Sequence, residues 1–147
     1  MSKDINRILI ADDSEMNRAI LREVLGEEFA VLEAANGEEG LEYLEEHEED
    51  ISLVLLDIIM PVMDGFEVLR VMSEKNFLDN IPVIMISSEE SETYVKKAYE
   101  MGAMDYINRP FDAQVVYRRV FNTIKLYAKQ RRLIALVTDQ IKSELKK

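Results

Sequence analysis

The sequence predicts an α/β fold: one five-stranded parallel sheet, helices on both faces, and an extended C-terminal helix. Three observations carry this reading. Short apolar runs alternate five times with stretches of helical periodicity, the pattern of parallel strands joined by helical crossovers. The runs are brief and rich in Ile, Val and Leu, as strands covered on both faces require. The last helical pattern then continues for more than thirty residues, further than covering a sheet demands.

Taken in order, Arg7–Ala11 reads as the first strand and ends at Asp12-Asp13. Ser14 is placed to cap a first helix, with Met16, Ala19, Ile20, Val24 and Leu25 as its apolar face. Phe29–Ala34 is the second strand, and the Asn36-Gly37 turn opens a second helix through Leu41 and Leu44. Ile51–Leu56, the most apolar run, is the third strand. Asp64-Gly65 opens a third helix through Phe66, Val68, Leu69 and Met72. Pro82 leads into the fourth strand, Val83–Ile86, which ends at Ser87-Ser88. A fourth helix spans about Ser91–Met101 and stops at Gly102, a glycine in the usual terminating position. Ala103–Ile107 is the fifth strand, and the long helix follows Pro110.

Composition excludes several classes. The chain has 147 residues, one domain's worth, and no cysteine. It therefore holds neither a disulfide framework nor a thiolate metal site, which fits a reducing cytoplasm. The N-terminus lacks the apolar core of a secretory signal, and the longest apolar stretch, Leu53–Met63, is too short and too polar for a bilayer. A net charge of −11 argues against nucleic acid as a direct partner. That charge is uneven. Residues 112–147 carry nine basic and three acidic residues, leaving nine basic against twenty-six acidic in the rest. We read a compact domain over 1–124 and a basic helical extension over 125–147, a linker to an output domain.

The chemistry gathers at the strand ends. Asp12 and Asp13 follow the first strand, Asp57 the third, Ser87 the fourth and Arg109 the fifth. In an open parallel sheet these ends share one edge, where ligands bind. Two carboxylates about 5 Å apart repel by roughly 3 kcal/mol at an effective dielectric of 20. Three in one cleft call for a cation, and all-oxygen ligands suit Mg2+. Asp13 or Ser14 alone could be no more than a helix cap, and Asp64-Gly65 a plain turn. Asp57 is harder to dismiss, because Leu-Val-Leu-Leu-Asp-Ile-Ile-Met-Pro is otherwise wholly apolar and a carboxylate there is costly unless liganded.

Four ordered segments then resemble the receiver domains of bacterial response regulators over about residues 4–125. They are Ile-Leu-Ile-Ala-Asp-Asp at 8–13, Leu-Asp-Ile-Ile-Met-Pro-Val-Met-Asp-Gly at 56–65, Pro-Val-Ile-Met-Ile-Ser at 82–87 and Gly-Ala-Met-Asp-Tyr-Ile-Asn-Arg-Pro-Phe at 102–111. The resemblance implies a flavodoxin-like strand order, 2-1-3-4-5, and a phosphorylation-dependent switch in two-component signalling. By position, Asp57 resembles the residue that accepts a phosphoryl group from a histidine kinase or phosphotransfer protein. Asp12, Asp13, Asp57 and the backbone carbonyl of Ile59 look like the Mg2+ ligands. Ser87 would hydrogen-bond the phosphoryl group, and Tyr106 occupies the aromatic position that reorients on activation. Ile59 and Glu89 flank the site and are expected to modulate hydrolysis. Arg109-Pro110 falls where the family has a lysine and a cis-proline, so a cis bond is expected.

Three residues depart from the family pattern: Arg109 for lysine, Ser87 for the commoner threonine, and the branched apolar Ile59. Arg109 keeps open a receiver that signals without phosphate. A magnesium phosphatase of the aspartyl-phosphate type would want an acid where Ile59 stands, and a flavin carrier would meet a repelling acidic pocket. His47, the single histidine, reads as a solvated residue. The seam Val120, Ile124, Tyr127, Ile134, Val137, Ile141 and Leu145, interrupted by Arg131, is expected to pair two copies as a coiled coil. The stretch from Val116 to Tyr127 resembles the junction in regulators that carry cyclic-di-GMP cyclase or HD-type phosphodiesterase domains.

Overall fold

The structure, a computed structural model, describes residues 6–88 and 91–146. Its strands are β1 (Asn6–Ala11), β2 (Phe29–Ala34), β3 (Ile51–Leu56), β4 (Val83–Ser87) and β5 (Asp105–Asn108). Its helices are α1 (Glu15–Leu25), α2 (Gly37–His47), α3 (Gly65–Glu74), α4 (Glu92–Glu100) and α5 (Ala113–Leu145). Each helix begins at a side chain that takes up an otherwise orphaned backbone N–H: Ser14, Asn36, Asp64, Ser91 and Asp112. Asp64 and Glu67 do so reciprocally. Such caps contribute about 0.5–2 kcal/mol each and set where helices start.

All strand pairs are parallel, in the order β2-β1-β3-β4-β5. Alternate residues point to opposite faces and build two cores. Ile8, Ile10, Leu53, Leu55, Ile84 and Ile86 meet Leu21 and Leu25 of α1 and Val116, Val120 and Ile124 of α5. Leu9, Val54, Leu56, Val83 and Met85 meet Leu41 and Leu44 of α2, Phe66, Leu69 and Met72 of α3, and Ala98 of α4. Among the described residues, no helix is long and apolar enough to cross a membrane.

Three sequence expectations need correction. Met16 and Ile20 do not face the core; Met16 is 72% exposed, and α1 buries Leu21 and Leu25 instead. The apolar residues of α1 span more of its circumference than one sheet can cover, so the periodicity alone left its phase ambiguous. The fifth strand starts at Asp105, two residues late, because the backbone N–H of Ala103 still closes the end of α4 on Ala98. Finally, Val120 and Ile124 are buried against the sheet, and Arg131 turns to the same side, where its guanidinium donates to the Asn80 carbonyl at 3.3 Å. Of the expected seam, Ile134, Val137, Ile141 and Leu145 stay exposed, and with Leu126 and Leu133 they form an apolar stripe on α5.

Candidate functional site

The sheet ladder runs one residue past the strands and fixes the site's backbone. Asp12 donates its N–H to Ala34 (3.0 Å), Asp57 to Ala11 (2.9 Å) and Arg109 to Ser87 (3.0 Å). Three residues distant in sequence are thereby held side by side at the C-terminal edge. The carboxylates of Asp12, Asp13 and Asp57 each present an oxygen within 4.8 Å of the others. Asp12 and Asp57 are buried, at 1% and 8% exposure, and Asp13 is exposed at the mouth.

Arg109 reaches into this pocket, with its side chain only 15% exposed. Its guanidinium contacts Asp12 Oδ2 and lies 3.6 Å from Asp57 Oδ1. Its Nε is buried without a hydrogen-bond partner among the described residues. The longer head is thus accommodated where a lysine was expected. It pairs first with Asp12 and only at longer range with Asp57. The Arg109-Pro110 peptide bond is cis, as expected.

Burial pushes the Asp57 carboxyl up from 3.8 to about 6, and the neighbouring Asp12 carboxylate adds to the rise. Arg109 and the backbone N–H of Ile58 oppose it, while Asp13 reinforces it weakly. An anion is expensive there until a cation arrives. Three hard carboxylates converging on one point suit a small divalent ion such as Mg2+, so the donor set fits that group.

The loop after Asp57 is anchored at both ends. Gly65 donates to the Ile58 carbonyl (2.8 Å), and Gly37 to the Met63 carbonyl (3.1 Å). A Cβ on Gly65 would come within 2.3 Å of the Asp57 carbonyl oxygen, so only glycine lets α3 start this close. Between the anchors, Met63 N–H bonds Pro61 O at 2.7 Å, and Val62 takes a φ of 69°, a strained conformation for a β-branched residue. Ile59 is 56% exposed beside the pocket. Ser87 is buried at the end of β4, and Tyr106 is buried on β5 within the core that includes Ala98 and Ala103. Glu89 lies outside the described residues. Sequence reasoning missed Arg18, whose guanidinium donates to the Asp12 carbonyl at 2.6 Å while its Nε binds Glu33. Its spacing four residues after the N-cap of α1 was the available signal.

The family model described as the response regulator receiver domain matches residues 8–121. The chain belongs to that family. Its acidic pocket is the receiver's phosphoacceptor pocket. The chain is 42% identical over 106 residues to the chemotaxis protein CheY of Halobacterium salinarum, covering 71% of this chain and 85% of that protein. It is 34% identical over 113 residues to a probable cyclic di-GMP phosphodiesterase of Vibrio cholerae, covering 77% of this chain but only 25% of that protein. Among solved structures it resembles the CheX–CheY–BeF3–Mg2+ complex from Borrelia burgdorferi, with a TM-score of 0.73 and 36% identity over 80% of this chain and 87% of that one. Receivers of this kind therefore stand alone in some relatives and form part of longer regulators in others.

Proposed function

We propose that this receiver switches by phosphorylation of Asp57, with Mg2+ held by Asp12, Asp13, Asp57 and the backbone carbonyl of Ile59. The observation that carries the reading is a buried carboxylate converging with two others within 4.8 Å and faced by a guanidinium. An Asp57 oxygen attacks the phosphorus of a phosphohistidine on a histidine kinase or phosphotransfer protein. The P–N bond breaks and the imidazole leaves, taking a proton from solvent. When bound, Mg2+ neutralises the carboxylates and the phosphoryl oxygens. Ser87 and Arg109 hydrogen-bond the transferred group, and Tyr106 follows Ser87 in the switch. Ile59 and Glu89 modulate the later hydrolysis of the acyl phosphate. The signal passes in the cytoplasm. Residues 1–124 form the receiver unit, and the 125–147 extension connects it to an output domain or a second copy. The exposed stripe from Leu126 to Leu145 supports the pairing role.

Incubation with acetyl phosphate or phosphoramidate and Mg2+, followed by intact mass, tests the reading. One hydroxylamine-labile phosphoryl group is expected on the wild type and none on Asp57→Asn. A mutant labelled as well as the wild type sinks the assignment.

A further inference from the structure

We propose that Arg109 is an internal counter-ion that closes the acidic pocket when no metal is bound, so that Mg2+ enters by exchange with its guanidinium on Asp12. This rests on the reading above, that the three carboxylates hold Mg2+, and adds what regulates their occupancy.

The three carboxylates are engaged to very different degrees. Both oxygens of Asp12 are taken: Oδ1 accepts the Ser14 backbone N–H at 2.9 Å, and Oδ2 carries the Arg109 Nη2. Asp57 is attracted by Nη1 at 3.6 Å, beyond hydrogen-bond range. Asp13, exposed, makes no hydrogen bond or ion pair among the described residues. Asp12 is also the most buried of the three, so a cation that needs its carboxylate must take an oxygen the guanidinium already holds.

Arginine suits this role in a way lysine does not. Its planar head spans two carboxylates at once, whereas an ammonium is a single point of charge. Three carboxylates and one guanidinium leave a formal charge of −2, which one divalent ion balances. The arrangement is also incomplete, since among the described residues the Arg109 Nε is a buried donor with no acceptor. A donor in that condition is costly, so the guanidinium is poised to take better partners. On exchange, Asp12 Oδ2 passes from the guanidinium to the cation. Arg109 then has its charge and its donors available for phosphoryl oxygens.

The test is Mg2+ titration of the metal-free full chain by calorimetry, with circular dichroism to check folding. Arg109→Met keeps an unbranched stem and removes the guanidinium and its charge; on the order of tenfold tighter Mg2+ binding is expected. Arg18→Met is the control. It removes a guanidinium equally close to Asp12, but one that touches the carbonyl and not the carboxylate. Its Mg2+ affinity is expected to stay within about threefold of wild type. Unchanged or weaker binding by Arg109→Met overturns the proposal. So does an equal gain in Arg18→Met, which would make the effect one of general field. If Arg109→Met does not fold, Arg109→Lys carries the test: it should bind more tightly than wild type, and equal affinity overturns the idea. A wild-type chain that binds no Mg2+ sinks the metal reading itself. A chain labelled at Asp57 at saturating Mg2+, with all variants alike in affinity, sinks only the role of Arg109.

Discussion

Replacing Asp57 with Asn should stabilise the metal-free protein at neutral pH. The folded carboxyl titrates near 6, against 3.8 for an unperturbed one. Between those values the native state binds a proton that the unfolded chain has already released. Stability therefore falls as pH rises through that window. Above it the whole cost is present, about 3 kcal/mol at roughly 1.4 kcal/mol per pH unit. Below pH ~4 both states are protonated and the cost vanishes. Asn occupies the same volume without the charge, so it escapes the cost altogether. For a chain of this size that corresponds to a Tm roughly 6–12 °C higher at pH 7.5. Thermal or urea unfolding in EDTA, from pH 4 to pH 8, measures it. The wild-type and Asp57→Asn curves should converge at the acidic end and separate steadily through pH 6. Equal stability at pH 7.5, or a gap that persists undiminished at pH 4, would refute the argument that burial and Asp12 make this anion costly.

Two further predictions follow from exposed residues. Ile59 places a branched apolar side chain beside Asp57, so Ile59→Asn should shorten the lifetime of the acyl phosphate; equal decay of the two phosphoproteins, followed by intact mass, would count against a role in hindering water. On α5, Ile141→Glu should weaken self-association about tenfold or more by sedimentation, while Arg132→Glu, also exposed but on the opposite side of the helix, should not. Two apolar stripes of this length cover on the order of 1,000 Å2 together, near the lower limit for a specific interface, so reversible rather than permanent pairing is expected.

Most of the fold and the members of the site were legible because their signals are local. A run such as Ile51–Leu56 declares a strand by its own composition, and Ser14, Asn36 and Asp64 declare helix starts by what they can bond two or three residues on. Polar residues ending apolar runs mark the edge of a parallel sheet, so Asp12, Asp57, Ser87 and Arg109 could be assigned to one edge of the sheet before any coordinate was known. Register between strands then follows from burying both faces at once.

What the tertiary structure alone decided is how those elements turn toward one another. The sequence of α1 contains enough apolar residues for two faces, and only packing against the sheet selects Leu21 and Leu25 over Met16 and Ile20. The same choice commits Val120 and Ile124 to the core and leaves Ile134 to Leu145 in solvent. Gly65 looked like a turn residue, yet it is the close approach to the Asp57 carbonyl that demands glycine there. Arg109 and Asp12, 97 residues apart, become partners because the ladder places their strand ends in one cleft, where the guanidinium faces both Asp12 and Asp57. Periodicity and capping carry no record of such distances, since the strength of an ion pair depends on separation and solvent access in the folded chain.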